Sequence, residues 1–273
     1  MQEIKELNNL LSKYVDQGYF PGIQWQINCN NNIYEGKYGF NNIESQKPVL
    51  DDSIYRIWSM TKPIVAVAAL QLIEEKKINL QDKITEYLPE FNDLTVMVKE
   101  NGSVKDIEKI INYPTIEDLL LHTAGFSYNF LADPVGKEYD RLCLFSSDDT
   151  TLESEIKILS KAPLLFQPKA SWRYSVSMDV LARIIEIVLG DSLQNVLTKK
   201  IFEPLYMKDT AFTVPIKNHE RVMTSYEFDP VKMNLSELIS DPQKIGNFGY
   251  PADVLSYARG GHGLFSSLKD YSI

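Results

Sequence analysis

The segment RIWSMTKPIVAVAALQLIEE, Arg56 to Glu75, limits what this chain can fold into more than any other stretch. Between Ile64 and Ile73 its one polar side chain is Gln71. The run is too long for a typical strand and rich in Ala and Leu, which predicts a helix over 59–76. A helix apolar nearly all round belongs inside a protein, so other elements must cover it. Pro63 has to sit in or next to the first turn, since deeper placement would break the helix. The helix therefore begins close to Ser59, with Lys62 one turn on.

The chain can supply that cover. It has 273 residues, 44% of them hydrophobic, enough for one large domain or two ordinary ones. The formal net charge is −9, and Lys and Arg are dispersed among acids. Phosphate binding needs clustered cations, so a nucleic-acid partner is not expected. Cys29 and Cys143 are too few and too distant in sequence for a disulfide framework, and are expected as reduced, buried thiols. The N-terminus has neither a basic region nor a continuous apolar core, so it does not read as a signal peptide. No stretch reaches membrane-span length. The expected location is cytoplasmic, with no membrane partner; a removed leader would make it periplasmic.

Ile4, Leu7, Leu10, Leu11 and Tyr14 recur at helical spacing, and Gly18 offers a stop. GIQWQINCN and IYEGKYGF read as two strands joined by Asn30, Asn31 and Asn32 into a hairpin. LQDKITEYLPEF reads as short helix and turn. Helical patterns and loops then continue to about residue 240. TIEDLLLHTAG carries Thr115 as N-cap and Gly125 as its expected end. SSDDTTLESE (146–155) suits an exposed loop leading into a helix. SMDVLARIIEIVLG starts near Ser177 and stops at Gly190, and SLQNVLTKKIF breaks before Pro204. Three segments are expected: 1–76 (helix, hairpin and buried helix of an α/β domain), 77–245 (a mostly helical domain) and 246–273 (a return towards the first).

Ser-x-x-Lys occurs three times, as Ser59/Lys62, Ser154/Lys157 and Ser266/Lys269. The second lies on a charged helix face. In the third, Ser266 or Ser267 suits a helix N-cap. At Ser59/Lys62 the i, i+3 spacing brings amine and hydroxyl onto one face. The helix start adds free N–H groups and a favourable dipole. Partial desolvation favours an amine's neutral form and makes it a better base. Together these could activate a serine nucleophile. An N-cap serine beside an exposed lysine fits the same local pattern. Three scattered histidines, His122, His219 and His262, have no metal-ligand spacing. His122 reads as structural and hydrogen-bonded, His219 as exposed, and His262 as either a pocket residue or incidental. No Gly-x-Ser-x-Gly elbow occurs.

WSMTKPIVAVAALQLIEEKKINLQDKITEYLPEF resembles the first signature of the serine β-lactamase/penicillin-binding-protein superfamily. It is most similar to the class C β-lactamase-like branch that includes the family VIII carboxylesterases. PGIQWQI, IEDLLLHTAGFSY, LLFQPKASWRYSVSMDVLARIIE, IFEPLYMKDTAF and GGHGLFSSLKDYSI resemble further family segments in the same order. The resemblance implies an antiparallel sheet flanked by helices with an inserted helical domain, an α/β plus all-α fold, and a site between the two domains. It implies Ser59 as nucleophile of an acyl-enzyme, Lys62 as its proton partner and Tyr174 as a proton shuttle, without metal or cofactor. The expected substrate is a small carboxylic ester or amide. A class C-like β-lactamase or D-amino-acid peptidase is the alternative, and an inactive or ligand-binding relative the non-enzymatic one. Two departures stand out. Val176 occupies the place of the lactamase asparagine, which favours esters. A Lys-Thr-Gly third signature does not occur before Ile273. The C-terminal strands are thus expected to lie outside this chain, supplied by a further segment or a second chain, with the 23–40 hairpin left with an unpaired edge.

Overall fold

A computed structural model describes residues 2–144, 150–238 and 258–273. In chain order the elements are α1 (Gln2–Asp16), β1 (Gly22–Cys29), β2 (Asn32–Asn42), β3 (Lys47–Pro48), β4 (Ile54–Arg56), α2 (Thr61–Glu74), β5 (Thr95–Met97) and β6 (Ile107–Lys109). Then come α3 (Ile116–Leu121), α4 (Pro134–Arg141), α5 (Leu152–Leu159), α6 (Ser177–Leu189), α7 (Leu193–Leu197), β7 (Tyr226–Asp229), β8 (Asn234–Glu237), β9 (Phe265–Ser267) and α8 (Leu268–Tyr271). They group into two compact units. Of the described residues, the first holds 2–57, 205–238 and 264–273; the second holds 58–144, 150–204 and 258–263. The helix after Ser59 therefore groups with the helical residues that follow it, not with residues 1–57.

In the first unit β1 and β2 pair antiparallel from Gly22↔Gly39 to Cys29↔Asn32. Asn30 (φ 50°) and Asn31 (φ 62°) make the two-residue turn. Both sit in the left-handed region that asparagine tolerates, and this turn matches the natural twist of paired strands. The sheet order is β1-β2-β3, so no strand among the described residues pairs with the outer edge of β1. Helix α1 lies against this sheet, where the Trp25 indole N–H donates to Asn8 Oδ1 at 3.3 Å and the Tyr38 hydroxyl to Asp16 Oδ1 at 2.9 Å. β4 pairs with β9, and Ile54, Val214 and Phe265 form a small core. Ser267 caps α8 by accepting the Asp270 N–H, as one of the two readings of that motif expected.

The second unit is built on α6, which packs against α2, α3 and α5. Val180, Leu181, Ile184 and Ile185 on α6 are fully buried, with Ala68, Ala69 and Leu72 of α2. Each buried Leu or Ile contributes about 1.5–3 kcal/mol. Gly190 (φ 64°) ends α6 in the left-handed conformation, as its sequence position suggests. A π-helical turn, Thr198–Phe202, continues α7 up to Pro204.

Several expectations need correction. Helix α2 is buried along Thr61, Lys62, Val65, Ala68, Ala69 and Leu72, but Val67 and Leu70 on its other side are exposed. Composition reported apolarity all round; only the neighbours decide which side is covered. Helix α3 ends at His122 (φ 57°), not Gly125, so a histidine takes the left-handed C-cap. The short hairpins β5/β6 and β7/β8 were not expected, because three or four residues are too few for alternation to show. Cys29 and Cys143 form no disulfide but are exposed rather than buried. Cys29 sits at the hairpin tip and Cys143 just after α4. His219 is half-buried, with Nε2 2.9 Å from the Val214 carbonyl, rather than exposed. The 146–155 loop falls partly outside the described residues; its described end contains Thr151, which caps α5. The return segment 246–273 is likewise described only from 258. Among the described residues no helix is long and apolar enough to cross a membrane.

Candidate active site

Ser59 lies in a 3-10 turn, Trp58–Met60, that runs directly into α2. Trp58 before it holds φ 46°, in the left-handed region. For a bulky residue that conformation costs on the order of 1–3 kcal/mol and persists only where its surroundings impose it. It turns the backbone sharply, and Ser59 is exposed immediately beyond the turn. Lys62 and Pro63 occupy the first turn of α2, as the proline required.

Lys62 is 9% exposed, low for a lysine, and its burial is offset by specific partners. Nζ lies 3.1 Å from Ser59 Oγ and 2.7 Å from the Gly261 carbonyl oxygen. It also sits over the Tyr174 ring (4.6 Å) and the Tyr128 ring (5.3 Å), where π-faces favour a cation. The Tyr174 hydroxyl donates to Ser59 Oγ at 2.7 Å. The three residues singled out from the sequence thus meet at one oxygen, although Tyr174 lies 115 residues from Ser59. The other two Ser-x-x-Lys pairs do not resemble this. Ser154 is exposed in the first turn of α5. Ser266 is buried in β9, its hydroxyl 2.7 Å from Thr210 Oγ1.

Tyr174 is held from both sides by His122. The His122 carbonyl accepts the Arg173 N–H at 3.0 Å, and Nδ1 accepts the Ser175 N–H at 3.2 Å. A backbone N–H can only donate, so Nδ1 is the unprotonated nitrogen of a neutral ring. Burial, and secondarily the Lys62 charge, push the His122 pKa down to about 4. The left-handed backbone at His122 aims both acceptors at this segment. The sequence identified His122 as structural but gave no sign of what it holds. His262 is largely buried, Nε2 3.5 Å from Arg259 and its ring 6.3 Å from Trp58. Burial, then the Arg259 and Lys62 charges, lower its pKa to about 3. Tyr128, stacked on Phe130 at 4.7 Å and 5.3 Å from the Tyr174 ring, has its pKa raised well above the ordinary value, chiefly by burial. It offers an aromatic face and stays a neutral phenol. Val176 is fully buried with its N–H bonded to the Ser127 carbonyl, so no amide side chain stands at that place.

A pH dependence follows from His122. Its folded pKa of about 4 lies below the 6.5 of an exposed imidazole. Between these values the unfolded chain binds a proton that the folded chain excludes. The contribution is complete above pH 6.5 and is lost as pH falls towards 4. The expected result is that His122→Gln loses less stability than wild type between pH 7 and pH 5, measured by urea midpoints. Equal losses in the two proteins would refute this.

Among the described residues no group of His, Cys, Asp and Glu is arranged to hold a metal ion. The arrangement places a serine hydroxyl at a helix start, where its oxygen accepts from both the Lys62 amine and the Tyr174 hydroxyl.

The chain is similar to known proteins over most of its length. Esterase EstB of Burkholderia gladioli is 31% identical over 250 residues, which are 87% of this chain and 60% of that protein. Lovastatin esterase of Penicillium rubens is 29% identical over 237 residues, 84% of this chain and 55% of that protein. The chain thus spans little more than half the length of these curated relatives. Among solved structures, EstCE1, described as a hydrolase with promiscuous acyltransferase activity, superposes with a TM-score of 0.81 at 25% identity, covering 99% of this chain and 71% of that one. The family described as Beta-lactamase matches residues 7–273, and the chain belongs to that family, on the esterase-like side of the serine β-lactamase/penicillin-binding-protein superfamily.

Proposed function

We propose that this protein is a serine hydrolase that cleaves small carboxylic esters through a covalent acyl-enzyme on Ser59. The supporting observation is the convergence of Lys62 Nζ and the Tyr174 hydroxyl on Ser59 Oγ, at 3.1 and 2.7 Å. In this reading the Tyr174–Lys62 pair reacts in the form that carries one proton fewer, and it takes the Ser59 hydroxyl proton as Oγ bonds to the ester carbonyl carbon. The C–O bond to the alcohol then breaks, and the alcohol oxygen takes that proton from the pair. Water adds to the acyl-enzyme by the same route in reverse, releasing the carboxylic acid and restoring Ser59. The Ser59 N–H, at the start of α2, is available to the developing oxyanion. Neither a metal nor a cofactor takes part in these steps. The buried Val176, with no amide to hold the side chain of a β-lactam or D-amino-acid peptide, favours esters over the lactamase or peptidase reading.

The test compares short p-nitrophenyl esters with a chromogenic cephalosporin, alongside covalent labelling by a fluorophosphonate probe read by intact mass. The expected outcome is one label per chain, located on Ser59, and a higher kcat/KM for the ester. A cephalosporin advantage would reverse the ranking. Absence of any label would leave the ligand-binding alternative in possession.

A further inference from the structure

Asp179 lies on α6, 2% exposed, among apolar helices where a carboxylate has no reason to be unless something needs it. Its Oδ1 accepts the Gly261 N–H at 3.1 Å, and the Gly260 N–H also bonds the carboxylate. The next group along is the one that matters: the carbonyl of Gly261 accepts Lys62 Nζ at 2.7 Å. A single residue thus links a buried carboxylate to the amine beside Ser59. The approach is close enough to require glycine twice. A Cβ on Gly260 would lie 1.9 Å from the Met178 carbonyl oxygen, and one on Gly261 would lie 2.8 Å from both Asp179 Oδ2 and the Tyr128 hydroxyl. Burial pushes the Asp179 carboxyl up from its ordinary value, and the charges of Lys62 from α2 and of Arg259, with the two glycine N–H groups, oppose that rise; Tyr128 also faces it. Around Lys62 stand Ser59, Tyr174, Tyr128, His122 and His262.

We propose that Asp179 is the positioning residue for Lys62: it fixes the Gly260–Gly261 turn whose carbonyl aims the amine at Ser59, and its charge balances the cations of Lys62 and Arg259. This builds on the Ser59 acyl-enzyme reading. Asp179 touches no reacting atom and acts through Gly261. Two consequences separate it from a merely structural carboxylate. Its removal should change the proton affinity of the site, and it should change rate rather than substrate binding.

The experiment uses Asp179→Asn, which keeps the shape and one acceptor oxygen but removes the charge, with Asp179→Ala for comparison. A thermal melt establishes that each variant is folded. The expected result for Asp179→Asn is a kcat for ester hydrolysis lower by roughly 10–100-fold, the range lost with one charged hydrogen bond, while KM stays within about threefold. The rising limb of the pH–rate profile moves to lower pH, because a carboxylate that favours the cationic amine is gone. Trinitrophenylation of Lys62 at pH 8, read by peptide mass, becomes faster for the same reason. A pH profile and a Lys62 reactivity equal to wild type would overturn the proposal, even with a lowered melting temperature, since that is what a purely structural role gives. If wild type neither hydrolyses esters nor labels at Ser59, the hydrolase reading fails, and Lys62 trinitrophenylation alone still decides whether Asp179 governs the amine.

Discussion

Ser59→Ala is expected to remove covalent labelling altogether and to lower ester hydrolysis by on the order of 10⁴–10⁶, the scale of losing a nucleophile that works with its base as one unit. The prediction rests on geometry that the other two motif serines lack. Of the three motif serines, only Ser59 receives both a lysine amine and a tyrosine hydroxyl, at 3.1 and 2.7 Å. Ser154→Ala is the clean control, since that side chain is exposed and its hydroxyl bonds only locally, with Thr151. Ser266→Ala is a control of a different kind. It removes a buried hydroxyl paired with Thr210, so it should cost about 1–3 kcal/mol of stability without touching the label on Ser59. Undiminished hydrolysis by the Ser59 variant, with contaminating esterase excluded by purification, would remove the assignment.

The second large effect concerns the fold that holds the site. Gly260→Ala is expected to destabilise the protein by at least about 3 kcal/mol, the upper range for forcing extra volume into a packed interior. The added Cβ would stand 1.9 Å from the Met178 carbonyl oxygen, 2.6 Å from its carbon and 2.8 Å from the Ala182 Cβ. Two of these are backbone atoms near the start of α6, which cannot swing aside. Gly190→Ala makes the contrast. Its Cβ would meet nothing within 4 Å, so only the positive φ of 64° is penalised, worth about 1–2 kcal/mol. The measurement is the urea midpoint of each variant. A Gly260→Ala protein as stable as Gly190→Ala would mean that the 258–261 segment does not sit against α6 as described.

How much of this was legible beforehand differs by residue. Ser59, Lys62 and Pro63 are local: their spacing on one helix turn is fixed by 3.6 residues per turn and by proline's missing N–H. Gly190, Thr115 and Ser267 are local in the same sense, because a cap is a contact between near neighbours in the chain. The Asn30–Asn31 turn is too, since few residues accept two consecutive positive φ angles. Tyr174 was reached by resemblance alone; in composition it is one of 15 tyrosines. His122, Gly261 and Asp179 carry no signal that separates their roles in sequence. A histidine that accepts the Ser175 N–H 53 residues away, or an aspartate that accepts a glycine N–H 82 residues away, uses groups that any loop or helix contains.

The sequence by itself determined that α3 starts at its N-cap Thr115 and α6 stops at Gly190, which serine stands at the mouth of an apolar helix, and that the chain carries the ordered segments of its family. Tertiary structure alone decided which face of α2 is covered, that His122 rather than Gly125 closes α3, and that a carboxylate on α6 lies one residue from the amine beside Ser59. The physical reason is range. Caps, turns and helical spacing are set by bonds within a few residues, which a sequence displays directly. Burial and the partners of buried charges are set by what packs against them, and those neighbours come from anywhere in the chain.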